Sequence, residues 1–237
     1  QLHEESENPI HDSSVLHYAT TAFEGIMAEP FHDNDGKVTG LTIPTLRWNV
    51  KRLFKSMEYH KMLPSYLEEA IELRKSVEER FGAELKSAGH SLAERDNKNT
   101  KYFTLNEEEV TNAILGTVVK NLEIGAVNSN ERIYVRPLVY RDTPTHAGIH
   151  LPALGVYNQE HDVVLEISAR NVGPYIKGYP IVLYWNEGFN NPHAQEKLGA
   201  NYVLLSRGKN LAWLAGMHEA LYHNNNNKKT LTEGGGE

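Results

Sequence analysis

ERIYVRPLVYRD, residues 131–142, alternates its side chains with the two-residue period of a β-strand. Ile133 and Val135 fall on one face, and Tyr134 and Arg136 fall on the other. Pro137 has no N–H to donate, which predicts an edge position or a bulge. We therefore predict a strand whose two faces carry different chemistry.

Helices are predicted on the amino-terminal side of this strand. TLRWNVKRLFKSM, from Thr45, leaves Lys51 and Arg52 at the edge of an apolar helical face. Residues 65–85 carry apolar side chains at near-helical spacing between many charges, which predicts an amphipathic helix. Thr104 and Glu107 have the spacing of a capping box and predict the start of a third helix.

Further strands and turns follow from short local signals. NDG, residues 34–36, is a turn signal, and VTGLTIP after it predicts the returning strand of a hairpin. HDVVLEISA and GYPIVLYW predict two more strands, LGANYVLLSRGKNLAWLAG a helix, and ALYHNNNNKKTLTEG a hairpin. Since strands and helices interleave, the fold class is a mixed one, α/β or α+β.

Composition bounds the class of protein. The chain has 237 residues, 40% of them hydrophobic, which is enough for one large domain or two modest ones. We expect a soluble protein without a membrane-spanning segment, because no apolar stretch has the required length. The net charge of −7 argues against nucleic acid as a partner. With zero cysteines there is no thiolate chemistry, and the cytoplasm is the expected compartment.

Several common functional motifs are missing from the sequence. It has no phosphate-loop pattern, no G-x-G-x-x-G, no G-x-S-x-G and no H-E-x-x-H, which removes common nucleotide-binding, hydrolase and zinc-protease classes. His146 and His150 lie four apart, but Gly148 and Pro152 make a helix that would join them on one metal unfavourable. We predict no metal site.

Candidate site residues are individually consistent with ordinary structure. Lys197 precedes a predicted helix, and Arg52 could lie at a helix edge with its head group in water. Glu233 precedes three glycines that would let the backbone approach a ligand closely. Tyr18 and Phe23, taken alone, are more typical of a core than of a pocket wall.

Taken in order, five separated motifs resemble those of the branched-chain aminotransferases, which are pyridoxal-phosphate enzymes of fold type IV. The motifs are VLHYATTAFEGI, the pair Arg52-Leu53, YVRPL, KLGANY and TEGGGE, and the resemblance runs from about Val15 to the last residue. D-Amino-acid aminotransferases and aminodeoxychorismate lyases share the lysine and the Glu-Gly motif, but they look less like HYATTAFEGI and YVRP.

The resemblance implies pyridoxal 5'-phosphate as the cofactor. Lys197 would hold it as a Schiff base and move the proton between the substrate α-carbon and the cofactor C4' carbon. Glu233 would pair with the pyridine nitrogen and keep the ring an electron sink. Tyr202 would hydrogen-bond the phenolic oxygen, and Arg52 would bind the phosphate.

The resemblance also implies the substrate side of the pocket and the two substrates. Tyr18, Phe23 and Tyr134 are similar to the aromatic residues that receive an aliphatic side chain, and Gly25 would permit close approach. Arg136 resembles the arginine that meets the side-chain carboxylate of glutamate. The implied reaction is transamination between leucine, isoleucine or valine and 2-oxoglutarate.

The implied architecture has two domains and forms a homodimer. Residues 1–170 would be a small N-terminal α/β domain with a helical insertion near 64–103. Residues 171–178 would be the interdomain linker, and residues 179–237 the first part of a larger cofactor-binding domain that is truncated in this chain.

Two departures from the family pattern leave other functions open. Ala19 stands where the family usually has glycine, and Met27 where it often has a basic residue. One alternative is another fold type IV transaminase, acting on D-amino acids or amines. The other is a non-catalytic relative that serves as a binding or scaffold protein.

Overall fold

A computed structural model describes residues 19–90, 92, 101–141, 145–146, 149–150, 162–173, 183–186, 196–224 and 227–234. The fold class is mixed α/β, as predicted. The helices are α1 (Leu46–Tyr59), α2 (Ser65–Ser87), α3 (Glu107–Glu123) and α4 (Tyr202–Leu214). The strands are β1 (Thr21–Phe23), β2 (Ile26–His32), β3 (Val38–Thr42), β4 (Ile133–Arg141), β5 (Thr145–His146), β6 (Ile149–His150), β7 (Val163–Asn171), β8 (Leu183–Asn186), β9 (Glu219–Asn224) and β10 (Asn227–Gly234).

The predicted strand at residues 131–142 is β4, and its alternation is confirmed: buried and half-buried residues alternate along its whole length. It lies in the middle of a five-stranded antiparallel sheet. Strands β1 and β2 follow one another along one side of β4, and β7 pairs along the other side.

The predicted edge position of Pro137 is therefore wrong. Phe23 pairs with Leu138 and Ile26 pairs with Val135, so the neighbouring strand is interrupted at Glu24 and Gly25, opposite Pro137. The Pro137 carbonyl accepts the Glu24 N–H at 3.0 Å. A proline is tolerated in this central strand because the break between β1 and β2 lies opposite it, so no strand there requires the hydrogen bond that its missing N–H would have donated.

The predicted hairpin at residues 34–36 is confirmed and joins β2 to β3. The Asp33 carboxylate accepts the N–H groups of Asp35 and Lys37, at 3.0 and 2.8 Å. Gly36 has a φ of +80°, which glycine adopts without steric cost. The Asp33 side chain therefore provides hydrogen-bond acceptors for two backbone N–H groups of the turn.

Two helices cover one face of the sheet. Helix α1 contacts β1 and α3, and α3 contacts β4 and β7. The fully buried side chains between these elements include Leu53, Met57, Ile114 and Val135. This core fixes the orientation of α1, which carries several residues of the site described below.

Helix α3 is confirmed, but the predicted capping box of Thr104 and Glu107 is wrong. The Asn106 side chain accepts the Glu109 N–H at 3.0 Å, and the Glu109 carboxylate accepts the Asn106 N–H at 2.8 Å. Both pairs have the same spacing, and asparagine is at least as good an N-cap as threonine. The helix therefore begins two residues later than the first matching pair predicts.

Helix α2 is also confirmed, and it falls within residues 64–103, for which the insertion stays a prediction. None of its residues, all of which the structure describes, is buried. Most of the polar segment that follows it lies outside the described residues.

The carboxyl-terminal region contains a second sheet, in the order β10-β9-β8. The predicted hairpin of β9 and β10 is confirmed as an antiparallel pair. Helix α4 contacts this sheet, and the Tyr222 hydroxyl donates to the Leu205 carbonyl at 2.7 Å. Most of the proposed linker at 171–178 lies outside the described residues, so the domain boundaries stay predictions.

No helix among the described residues is long and apolar enough to cross a membrane.

Candidate active site

A cavity of about 540 Å³ opens between the first sheet, α1 and the start of α4. Its lining combines one amine, two guanidinium groups, three aromatic rings and two glycines. The lining residues are Phe23, Gly25, Arg52, Tyr134, Arg136, Lys197, Gly199 and Tyr202.

An amine and a phenol meet on one wall of this cavity. The Lys197 Nζ donates to the Tyr202 hydroxyl at 2.9 Å. A short 3-10 turn, Gly199–Asn201, separates the two residues and leads into α4, which begins at Tyr202. The Tyr202 ring lies 5.2 Å from the Phe23 ring, centroid to centroid, so the phenol is held between Lys197 and an aromatic neighbour.

The segment that carries Lys197 is docked on β1. The Phe23 N–H donates to the Lys197 carbonyl at 3.0 Å, and Leu198 forms an isolated antiparallel bridge with Ala22. A Cβ at Gly199 would lie 2.2 Å from the Thr21 Oγ1, closer than any real contact. Glycine at this position therefore allows the segment to approach the strand.

Arg52 reaches the cavity from α1 while bound to a buried carboxylate. Its Nε and Nη2 donate to Glu24 Oε1 and Oε2 at 2.6 and 2.7 Å, and Asn49 Nδ2 donates to Oε2 at 2.9 Å. The Glu24 side chain is 0% exposed and that of Arg52 is 41% exposed. The hydrogen bond to Glu24 raises the pKa of Arg52 above its ordinary value, although burial acts in the opposite direction.

Arg136 and Tyr134 project from β4 into the same cavity. The Arg136 Nε donates to the Tyr134 hydroxyl at 2.9 Å, and its Nη2 also donates to that oxygen. The guanidinium lies 4.5 Å above the centroid of the Phe23 ring. A Cβ at Gly25 would lie 2.7 Å from the Tyr134 hydroxyl, so this glycine leaves room for the phenol.

All predicted site residues whose side chains the structure describes line this one cavity. They are Phe23, Gly25, Arg52, Tyr134, Arg136, Lys197 and Tyr202. Glu233 lies on β10, opposite Tyr222 in β9, and its side chain is outside the description. Tyr18 is outside the described residues altogether.

This set of groups suits a small anionic molecule that carries a carbonyl group. A lysine amine attacks carbonyl carbons, and guanidinium groups bind phosphates and carboxylates with charge-assisted hydrogen bonds. The cavity volume falls in the range of about 300 to 1,000 Å³ that is typical of small-molecule sites. No cluster of metal-binding side chains was found among the described residues.

Comparison with known proteins gives structural matches alone. No model of a known protein family matches the chain, and no curated protein sequence does. The branched-chain amino acid aminotransferase of Escherichia coli is 20% identical, with a TM-score of 0.62 over 100% of this chain. That of Thermoproteus uzoniensis, with norvaline, is 19% identical with a TM-score of 0.60 over 100% of this chain. That of Thermobaculum terrenum, in its PLP-form, is 17% identical with a TM-score of 0.58, again over 100% of this chain.

The chain has the fold of a branched-chain amino acid aminotransferase. It spans about 60% of the length of these solved structures: 60% of the Escherichia coli chain, 61% of the Thermoproteus uzoniensis chain and 57% of the Thermobaculum terrenum chain. The fold type IV architecture predicted from the sequence is thereby confirmed.

Sequence reasoning missed two polar residues of this aminotransferase fold, Glu24 and Asn49. Both are buried, and together with Arg52 they form one hydrogen-bonded group behind the cavity wall. A buried carboxylate requires a charged partner. The sequence signal is an acidic residue between Phe23 and Gly25 in an otherwise apolar segment, with an arginine on the next helix.

Proposed function

We propose that this chain carries the active site of a pyridoxal-phosphate-dependent aminotransferase that moves an amino group between branched-chain L-amino acids and 2-oxoglutarate. The observation that carries the proposal is the Lys197 amine, hydrogen-bonded to Tyr202 in a cavity that also holds two arginines and two further aromatic rings. The activity of the fold's larger relatives is the model for the rest of the proposal.

The residues present fit the cofactor. Pyridoxal phosphate carries an aldehyde, a phenolic oxygen and a phosphate, and the cavity offers an amine, a phenol and a guanidinium within about 540 Å³. Gly25 and Gly199 keep two walls free of side chains, since a Cβ at either position would collide with a neighbouring oxygen. When bound, the cofactor supplies the electron sink that stabilises negative charge on the substrate α-carbon.

Lys197 has two roles in this proposal. Its amine would bind the cofactor covalently, and once the substrate amine has displaced it, the same nitrogen would move a proton from the substrate α-carbon to the C4' carbon of the cofactor. Tyr202 holds the amine in place, because its hydroxyl accepts the Nζ hydrogen bond at 2.9 Å. The same hydroxyl would hydrogen-bond the phenolic oxygen of the cofactor.

Arg52 is the phosphate-binding residue in this proposal. A guanidinium has five N–H groups, and two of them bind Glu24, so three remain for the cavity. The bidentate pair holds the guanidinium plane in one orientation, so those donors are directed before the anion arrives.

Arg136 and the aromatic rings would let one pocket accept two unlike substrates. Phe23 and Tyr134 offer apolar surface to a branched aliphatic side chain, and the Arg136 guanidinium lies beside both rings, ready for the carboxylate of 2-oxoglutarate. A transaminase that alternates between two substrates needs both kinds of contact in the same place.

The remaining parts of the proposal concern side chains and contacts outside the part of the chain that the structure describes. Glu233 would pair with the pyridine nitrogen, and Tyr18 would complete the aromatic wall. The domain boundaries, with the linker at 171–178, and the homodimer also belong to the proposal.

The test begins with the visible absorbance of the purified chain after addition of pyridoxal phosphate, before and after L-leucine. A yellow complex that bleaches with L-leucine, and a borohydride-trapped pyridoxyl label on Lys197 found by peptide mapping, are the expected results. Lys197→Ala should abolish the label. Lys209→Ala is the matched control, since Lys209 binds Glu219 away from the cavity.

Each alternative function has its own outcome. Bleaching with D-alanine but not with L-leucine would replace the branched-chain proposal with a transaminase of D-amino acids. A chain that stays colourless and takes up no pyridoxal phosphate would overturn the catalytic proposal and favour a binding or scaffold role.

A further inference from the structure

Ser56 joins two parts of the site through one hydroxyl. It lies on α1, one turn after Arg52, and it is fully buried. Its Oγ donates to the Arg52 carbonyl at 2.9 Å and accepts the Lys197 N–H at 2.9 Å. A serine hydroxyl has one donor and two acceptor sites, so it can serve both partners at once.

The backbone of Lys197 is therefore held from two sides. Its N–H binds Ser56 on α1, and its carbonyl accepts the Phe23 N–H on β1 at 3.0 Å. The next residue, Leu198, is 1% exposed and bridges Ala22. Of these contacts, the Ser56 bond is the one made by a side chain, which makes it accessible to substitution.

The place of the Lys197 backbone decides where its amine lies. A lysine side chain has a flexible four-carbon stem, so the amine is fixed by the backbone at one end and by its own contact at the other. That contact is the Tyr202 hydroxyl at 2.9 Å. A reacting group must be held to about 0.5 Å of its productive position.

A hydroxyl that bonds to a carbonyl of its own helix is common and by itself has no functional meaning. Ser206 on α4 makes such a bond to the Val203 carbonyl at 2.8 Å, on an exposed face. Ser56 differs because its second partner belongs to the segment of the reactive amine, 141 residues away in the chain.

We propose that Ser56 is a positioning residue that fixes the Lys197 backbone and thereby directs the Lys197 amine at the carbonyl carbon with which it reacts. The proposal rests on the proposed function, because it assumes that Lys197 is the residue that binds the cofactor. Removing the hydroxyl leaves the Lys197 N–H without its acceptor, and the segment shifts to find another.

The test uses two ligands that differ at the reacting atom. Pyridoxal 5'-phosphate has an aldehyde: the unprotonated Lys197 amine adds to its carbon, and one water leaves as the C=N bond forms. 4'-Deoxypyridoxine 5'-phosphate lacks the aldehyde and binds without a covalent bond. A positioning role predicts that Ser56→Ala slows covalent attachment by about tenfold or more, while the Kd of the deoxy ligand changes by less than about threefold.

The experiment measures attachment rates by absorbance, the labelled peptide after borohydride reduction, and the Kd of the deoxy ligand by fluorescence, all on the full chain. Ser56→Cys is the second variant, because it fills the buried site while offering a weak acceptor, and it should slow attachment as well. Ser206→Ala is the control and should match the wild type. Thermal unfolding of each variant shows that it is folded.

The outcomes separate this inference from the function on which it rests. A wild-type chain without a label on Lys197 contradicts the proposed function. If the wild type is labelled on Lys197, and both Ser56→Ala and Ser56→Cys attach the cofactor as fast as the wild type does, the positioning role is overturned and the proposed function stands. The positioning role is also overturned if Ser56→Ala weakens binding of the deoxy ligand by the same factor by which it slows covalent attachment. That result would show that Ser56 supports the fold of the whole cavity.

Discussion

Helices α1 and α2 follow one another in the chain, and both were predicted from apolar side chains at helical spacing. Helix α1 buries residues against β1 and α3: Asn49, Val50, Leu53, Ser56 and Met57. Helix α2 is longer and buries none of its residues, and Phe81 of its predicted apolar face is 45% exposed. Periodicity therefore identifies the face of a helix, but long-range contacts decide whether that face is covered.

The difference has a consequence for function as well as for stability. Arg52 and Ser56 of α1 contact the cavity or the Lys197 segment, and Asn49 binds the buried partner of Arg52. These residues hold their places because Val50, Leu53 and Met57, on the adjoining part of the same helix, are packed in the core. A helix without such packing cannot hold a side chain to the precision that catalysis requires.

Leucine-to-alanine substitutions should give the largest contrast between the two helices. Leu53 is 0% exposed and Leu73 is 65% exposed. Leu53→Ala should reduce the free energy of unfolding by about 3 to 5 kcal/mol, because it removes buried surface and leaves a cavity. Leu73→Ala should change it by less than about 0.5 kcal/mol. Urea unfolding followed by tryptophan fluorescence measures both, and similar losses would mean that α2 is covered in solution.

The second-largest contrast should be in the free energy of unfolding that is lost when the ion pair of each helix is broken. Arg52→Ala leaves the buried Glu24 carboxylate without its cation, and we expect a loss of about 2 to 3 kcal/mol, reduced from the value for a fully buried pair because water reaches part of Arg52. Arg74 binds Glu78 at 2.9 Å on the surface of α2. Arg74→Ala should cost about 0.5 kcal/mol or less.

A double variant tests the reason for the Arg52 effect. Adding Glu24→Gln to Arg52→Ala removes the uncompensated buried charge, so the double variant should be more stable than Arg52→Ala alone. Chemical denaturation of the single and double variants measures the coupling. If the double variant loses the sum of the two single losses, the buried charge is not the cause.

Glycine substitutions should have opposite signs in the two regions. A Cβ at Gly82 in α2 meets nothing within 4 Å, so Gly82→Ala should stabilise the chain by about 0.5 to 1 kcal/mol through helix propensity. A Cβ at Gly199 would collide with Thr21, which is buried, so Gly199→Ala should destabilise by about 1 to 3 kcal/mol. Thermal unfolding gives both signs, and a neutral Gly199→Ala would contradict the close docking of the Lys197 segment on β1.

Local patterns in the sequence were sufficient for much of the fold. The alternation in β4, the turn at Gly36 and the helical period of α1 each depend on neighbouring residues, and all three were predicted correctly. The capping residue of α3 and the place of Pro137 were not. Two equivalent capping pairs overlap before α3, and the neighbours of Pro137 come from a strand more than a hundred residues earlier.

The site residues also divide into those that a sequence motif identifies and those that only long-range contacts identify. Lys197, Arg52 and Tyr202 were found through motifs in a known order, and they do line one cavity, although their roles remain proposals. Glu24 stands inside the motif VLHYATTAFEGI but was given no role, and Ser56 had no such signal. Their partners lie 28 and 141 residues away in the chain, so the sequence did not identify these contacts.

The smallest contrast should be in how the free energy of unfolding changes with pH when the histidine at the end of each helix is substituted. Burial, assisted by the nearby Arg141 charge, lowers the pKa of His60 below 6.5, against a hydrogen bond with the Thr21 backbone that raises it. His60 follows α1, and the exposed His90 lies just beyond α2. The folded chain therefore binds a proton at His60 less readily than the unfolded chain does.

As the pH falls through the unfolded pKa of about 6.5, the unfolded state gains a proton that the folded state resists, so stability is lost. His60→Gln should remove this part of the loss, and its free energy of unfolding should decrease less than that of the wild type as the pH falls from neutral to about 5. His90→Gln is the matched control, since it makes the same substitution at an exposed histidine. Urea unfolding at several pH values measures the three slopes, and a His60→Gln slope equal to that of the wild type would mean that the end of α1 is open to water.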